Sequence, residues 1–303
     1  MQLNRRDMVT GLAASALLPF TSKGFAASSV EIGPHRIDVV SDGHLKLPAS
    51  FLFDGLPEND LSAILARYDL TPDNVEPDCN ITVFRDGERT VVFDVGAGPN
   101  FMESAGKLIE ALDTIELDPS DVTHVLFTHG HPDHLWGLLD EFDDPLFPEA
   151  EYRMAQAEWE YWTDKRTVET IGEARQSFAA GAARLLGTIE DQTELFKPGE
   201  EVLPGIFARN TPGHTPGHTS FEVGSGTDKV MVVGDAIGNH HIAFEQPGWE
   251  VNSDQNAVLG AKSRLSLLDQ LATEKMKMVG YHMPYPGIGY AEKKDGAYRF
   301  VSQ

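Results

Sequence analysis

Thr128-His129-Gly130-His131-Pro132-Asp133-His134 places three imidazoles and one carboxylate within the six positions 129–134. Neutral imidazole and carboxylate are ligands that suit Zn²⁺ and neighbouring divalent ions. Gly130 and Pro132 keep the run out of regular helix, which lets the side chains splay toward two points. A histidine-rich surface loop would carry the same three imidazoles, so the weight of the reading falls on what the rest of the chain supplies.

Working outward, an apolar run over 122–127 reads as a buried strand leading straight into Thr128-His129. The same arrangement recurs. A strand over 206–210 precedes Thr211-Pro212-Gly213-His214, one over 230–233 precedes Gly234-Asp235, and one over 276–280 ends at Tyr281-His282. A strand over 90–93, paired with one over 81–84 through the Asp86-Gly87 turn, ends at Asp94-Val95-Gly96-Ala97-Gly98. The candidate ligands therefore sit just past the ends of separate strands, where α/β sheets commonly place their sites. A further strand is expected over 31–40. Helices are expected over 61–68, 101–112, 155–186 and 262–271, and 48–57 reads as an apolar loop with Phe51-Leu52-Phe53 at its tip. Strands alternate with helices twice, which argues for a layered α/β domain.

The 303-residue chain has a formal net charge of -23, with 47 acidic against 24 basic residues. Such a chain repels phosphate backbones and anionic lipid, so nucleic acid is excluded as a partner, while divalent cations are attracted. The single cysteine, Cys79, rules out an intramolecular disulfide and a thiolate cluster, and eleven histidines make imidazole the available ligand. At the N-terminus, Arg5-Arg6 precedes the apolar stretch 11–18, and small residues follow at Ala26, Ala27 and Ser28. This pattern resembles a twin-arginine export signal over residues 1–27, leaving one domain over 28–303 in the periplasm. The apolar run is too short to span a bilayer, so no stable membrane insertion is expected once the signal is removed.

Taken together, His129-x-His131-x-Asp133-His134, the Thr-Pro-Gly-His run at 211–214, Val232-Val233-Gly234-Asp235 and Val279-Gly280-Tyr281-His282 resemble, in order, the motifs of the metallo-β-lactamase superfamily. The resemblance implies an αβ/βα four-layer sandwich and a dinuclear site. In it, His129, His131 and His214 would hold one ion, Asp133, His134 and His282 the other, and Asp235 would bridge them. Two divalent ions are implied, Zn²⁺ first, with Mn²⁺, Fe²⁺ or Co²⁺ as alternatives. The implied chemistry is hydrolysis by a metal-bridging hydroxide, with Asp133 also orienting it as a catalytic residue. Asp94 would support the site from behind, and His218 would pack beside it. Cys79 has no partner base and reads as core.

The tail His282-Met283-Pro284-Tyr285-Pro286-Gly287 and the segment Ser41-Asp42-Gly43-His44 are similar to the branch holding N-acyl-homoserine lactonases and methyl parathion hydrolase. Candidate substrate-wall residues are Phe51, Phe53, Trp136, Phe244, His241 and Tyr285, with Trp159, Trp162 and Trp249 as further aromatics near the motifs. Many lactonases of that branch carry a tyrosine three residues after the bridging aspartate, where this chain has Gly238. That leaves the non-metal donor open, with His240 and His241 as candidates. The expected substrate is a small neutral lactone or carboxylic ester, an N-acyl-homoserine lactone foremost. The alternatives are an organophosphate triester or a non-catalytic periplasmic metal-binding role. The apolar Phe51 loop leaves room for a homodimer.

Overall fold

The computed structural model describes residues 27–303. The segment expected to be an export signal lies outside the described residues, save for Ala27. No helix among them is long and apolar enough to cross a membrane.

Short runs of β-branched and aromatic residues form two seven-stranded sheets. The first pairs β1 (Ser28–Ile32), β2 (His35–His44), β3 (Asp78–Arg85), β4 (Thr90–Phe93), β5 (His124–Leu126), β6 (Glu151–Ala155) and β7 (Thr193–Phe196) in chain order. The second holds β8 (Glu201–Leu203), β9 (Ile206–Asn210), β10 (Thr219–Ser225), β11 (Asp228–Val232), β12 (Lys277–Val279), β13 (Ile288–Lys294) and β14 (Ala297–Ser302), again neighbour to neighbour. Both sheets are mixed: β4 to β7 run parallel in the first, and β11 and β12 run parallel in the second.

Alternation along each strand decides the layers. In β4, Val91 and Phe93 point between the sheets while Val92 points to the helices. Ile37, Val39 and Phe93 from the first sheet meet Phe221, Val223 and Val232 from the second, and the Phe93 and Phe221 rings lie 5.4 Å apart. The outer face of the first sheet is covered by the helices Leu108–Asp113, Gln156–Thr163 and Gln176–Leu186. Leu267, Leu268 and Leu271 of the helix Ala257–Glu274 cover Met231 and Met278 of the second. The order is helix, sheet, sheet, helix, as the motifs implied. Each fully buried Val, Ile or Phe between the sheets contributes about 1.5–3 kcal/mol, so this inner layer holds the two sheets together.

Two elements differ from expectation. The helix expected over 101–112 begins only at Leu108, and Ile109 faces solvent. The chain before it turns tightly at Gly106, where φ is 76° and a Cβ would lie 2.1 Å from the Gly98 carbonyl oxygen. Close packing against the Asp94–Gly98 segment thus overrides the apolar spacing. The loop expected over 48–57 contains a short helix, Ala49–Phe53, that turns Phe53 inward.

Candidate metal centre

The parallel strands deliver the ligands. Asp94 follows β4, His129 follows β5, Asp235 follows β11 and His282 follows β12, all at C-terminal strand ends, and His214 follows β9. Pro132, expected to keep its segment irregular, occupies the first position of a one-turn helix, Pro132–Leu135, that carries Asp133 and His134. Proline suits that position because its missing N–H would have no partner there.

Seven side chains converge in two buried groups: His129, His131 and His214, and Asp133, His134, Asp235 and His282. In the first, His131 Nδ1 lies 3.0 Å from His129 Nε2 and 2.9 Å from His214 Nε2. In the second, Asp133 Oδ2 stands 3.3 Å from both His134 Nε2 and His282 Nε2. Asp235 joins the groups: Oδ1 is 3.3 Å from His134 Nε2, and Oδ2 is 3.3 Å from His214 Nε2 and 3.1 Å from His282 Nε2.

The other ring nitrogen of four of the five imidazoles meets an oxygen behind it. His129 Nδ1 faces Thr128 Oγ1 at 3.1 Å, His134 Nδ1–H donates to Asp94 Oδ2 at 2.8 Å, and His214 Nδ1–H donates to Asp254 Oδ1 at 3.1 Å. His282 Nδ1–H donates to the Asp78 carbonyl at 2.7 Å, whereas His131 Nε2 has the Gln255 amide nitrogen 3.3 Å away. With the back nitrogens of His129 and His214 protonated, the first group turns bare ring nitrogens toward one another, while His134 and His282 turn theirs toward the Asp133 and Asp235 carboxylates. The first group is repulsive by itself and is resolved by a cation, with the backing groups fixing tautomer and orientation as they do at metal sites. Three inward atoms, Asp133 Oδ2, Asp235 Oδ1 and His134 Nε2, are sealed from solvent without a hydrogen-bond partner. The donor set therefore fits two divalent ions of the zinc type.

Electrostatics agree. Burial, then the neighbouring imidazoles, hold His129 well below its ordinary value, and burial with His214 does the same for His131, so both present neutral ligands. Burial also works against charge on His134 and His282, but the surrounding carboxylates outweigh it and push both well up. Asp133 and Asp235 are driven well below the carboxylate range, burial being overcome by those same imidazoles. The second group thus draws positive charge into the position a cation would take.

A cleft of about 1010 Å³, part of it open to solvent, leads to these groups. Phe51, Phe53 and His241 line it, together with Leu47, Leu52, Phe101, Phe178 and Ile242. Three expected wall residues are elsewhere. Trp136 stands behind Phe101 and Phe178, with ring centroids 5.4 and 6.5 Å away. Phe244 is fully buried against Phe300 of β14. Tyr285 turns to the sheets, its hydroxyl donating to the Val39 carbonyl at 3.0 Å. All three obey packing rather than proximity in sequence. Trp162 is likewise core, with its Nε1–H donating to Glu158. Cys79 is fully buried on β3, and burial pushes its thiol up to about 12.

Sequence reasoning missed Asp254, Gln255 and Glu158. The first two lie in a loop before the helix Ala257–Glu274, with no local pattern to mark them. Glu158 carried one faint signal, an acid four positions before Trp162 on one helical face.

Residues 75–280 match the profile of the Metallo-beta-lactamase superfamily. The chain is 27% identical over 223 residues, 73% of this chain and 72% of the relative, to Metallo-beta-lactamase domain-containing protein 1 of Xenopus laevis. Over 128 residues, 41% of this chain and 44% of the relative, it is 28% identical to N-acyl homoserine lactonase AttM of Agrobacterium fabrum. The solved structure of AidC, a dizinc quorum-quenching lactonase in complex with a product, shares the fold at a TM-score of 0.85 and 22% identity, covering 92% of this chain and 98% of that one. A profile match over most of the chain, on a fold whose strand ends gather the ligands, makes this protein a metal-dependent hydrolase of the metallo-beta-lactamase superfamily.

Proposed function

We propose that the chain hydrolyses a neutral, largely apolar lactone or carboxylic ester, with N-acyl-homoserine lactones as the leading class. The observation that carries this is the charge of the cleft wall. Arg264 is its only lysine or arginine among the described residues, and its guanidinium is engaged by the Pro247 and Trp249 carbonyls at 3.0 and 2.9 Å and by Asp254 at 2.5 Å. No guanidinium or ammonium is left to recognise a substrate carboxylate, whereas the phenyl and leucyl groups suit an acyl chain. The lactonases AttM and AidC among its relatives support the same reading.

Two divalent ions in the site would supply hydroxide from water at neutral pH and polarise the scissile carbonyl. The protein's own groups do the remaining work. Asp133 Oδ2, without a protein hydrogen-bond partner, is the acceptor that orients the attacking water. His241 Nδ1 accepts the Ile242 N–H at 2.9 Å, so the neutral ring carries its proton on Nε2. Burial, then His240, pulls this imidazole down to about 3, which keeps it neutral. Since Gly238 offers no side chain, His241 is the donor we assign to the substrate oxygen. Two zinc ions are the preferred pair, and the Arg5-Arg6 segment supports export to the periplasm.

The test is the initial rate of acid release when the zinc-loaded protein meets a long-chain acyl-homoserine lactone, with a phosphotriester and a chelated sample alongside. Rapid, chelator-sensitive lactone opening supports the proposal. Turnover of the triester alone would replace it with phosphotriester hydrolysis, which the same neutral wall admits.

A further inference from the structure

Glu158 lies on the helix Gln156–Thr163 and is fully buried, yet it belongs to neither ligand group. Its Oε1 accepts the Gly130 N–H at 2.9 Å and the Trp162 Nε1–H at 2.6 Å. Its Oε2 accepts the Thr215 Oγ1–H at 2.8 Å and the Gly217 N–H at 2.8 Å. Gly130 separates His129 from His131, and Thr215 follows His214. One carboxylate therefore ties together the two segments that carry all three imidazoles of the first group.

The fit is close. A Cβ at Gly217 would lie 2.2 Å from the Glu158 backbone nitrogen, so the helix rests directly on the second loop. A buried carboxylate costs several kcal/mol to desolvate unless its oxygens are satisfied, and here four donors satisfy both. A glutamine at this position would turn an NH₂ group toward two of those donors, breaking one loop's tie while keeping the volume. The second group takes its backing elsewhere, from Asp94 behind His134 and the Asp78 carbonyl behind His282.

We propose that Glu158 is a positioning residue that fixes the separation of the two ligand-bearing loops and thereby sets the affinity of the ion held by His129, His131 and His214. The proposal rests on the two-ion reading of the site and is independent of which ester is cleaved.

The test compares the wild-type protein with Glu158→Gln, each stripped and reloaded with Zn²⁺, then titrated with a competing chelator. A parallel Co²⁺ titration is followed by absorption. The expected result is one ion weakened roughly 10- to 100-fold, as for other groups that orient metal ligands, with the other ion unchanged and one component of the cobalt spectrum altered. Should Glu158→Gln fail to fold, Thr215→Val removes a single tie and keeps the carboxylate, and a smaller weakening of the same ion is expected. Wild-type affinity for both ions in the variant that folds, or equal loss of both, would overturn the proposal. A wild-type protein that takes up no ion would overturn the metal centre itself, a separate result visible before any variant is made.

Discussion

His218 Nε2 accepts the backbone N–H of Asp235 at 2.9 Å. The ring is thereby barred from acting as a ligand, because the nitrogen that could face the ions is already spent on the residue that joins both groups. Its Nδ1–H donates to Thr211 Oγ1 at 2.9 Å, and Thr211 and Ser220 pass the chain on to the Val233 carbonyl. Burial, then the neighbouring His214, pulls the imidazole down to about 3, which keeps it neutral near neutral pH. His218→Ala should leave the fold intact and cost about 1–3 kcal/mol for the unmet Asp235 N–H. It should also lower ion affinity or turnover roughly 10- to 100-fold. Denaturant melts and metal titration check the two effects separately, and unchanged metal binding would make His218 a packing residue only.

Asp94 tests the same logic behind His134. Its Oδ1 accepts the Thr128 N–H at 2.7 Å, and its Oδ2 accepts Thr128 Oγ1–H at 2.7 Å and His134 Nδ1–H at 2.8 Å. It does so from a left-handed backbone, φ 63°, a region asparagine also tolerates. Asp94→Asn thus keeps the turn, sets an NH₂ against at least one of these three donors and removes the negative charge behind His134. The ion held by His134, Asp133 and His282 should weaken roughly 10- to 100-fold while the other is retained, as read by metal content per chain after mild chelation. Retention of both ions would show that the charge behind His134 is dispensable.

How much of this was legible in the sequence follows from how local each signal is. His129 to His134, Asp235 and His282 stood out because each ends a short buried strand, and strand ends are readable from apolar runs. The edge strands β1, β7 and β14 were not, because half of each faces solvent and alternation over four to six residues is weak. Trp136, Phe244 and Tyr285 misled because nearness in sequence says nothing of which sheet face a side chain takes. Asp254, Gln255 and Glu158 act across 28 to 124 residues of separation, a coupling that no local pattern carries.

Asp42 ties the segment after Asp94 from the other side. Its Oδ2 accepts the Ala97 and Gly106 N–H groups at 2.8 and 3.2 Å, while Oδ1 is buried without a partner. Burial pushes this carboxyl up from 3.8 to about 6, against the pull of those backbone donors. A raised folded-state value means that the stabilising contribution is fully present below about pH 4 and is lost as pH rises through about 6. Asp42→Asn keeps an acceptor for both N–H groups and cannot ionise. Its stability should match the wild type near pH 4 and exceed it near pH 8, by at most about 3 kcal/mol for a shift of about two units. Paired denaturant melts across that range check this, and a difference independent of pH would refute the burial argument.

Phe51 forms part of the cleft wall and is held there from outside. The Arg175 guanidinium lies over its ring, 5.5 Å from the centroid, while Arg175 Nη2–H donates to the Asn252 carbonyl at 2.5 Å. Asn252 Nδ2–H in turn donates to the Asp54 carbonyl at 2.7 Å, closing a loop around the short helix Ala49–Phe53. The ring therefore acts as a fixed apolar surface and carries no group that changes charge during reaction. An interaction of this kind contributes equally to ground and transition states. Phe51→Ala should raise KM for long-chain acyl-homoserine lactones roughly 10-fold, about 1.4 kcal/mol and just under the ~1.5–3 kcal/mol of a fully buried aromatic, and leave kcat close to wild type. Short acyl chains, which do not reach the wall, should lose little. Steady-state rates across a chain-length series decide it: a fall in kcat with KM unchanged would place Phe51 in the chemistry instead, and a penalty uniform across chain lengths would mean that Phe51 meets the lactone head common to every substrate while the acyl chain runs elsewhere along the wall.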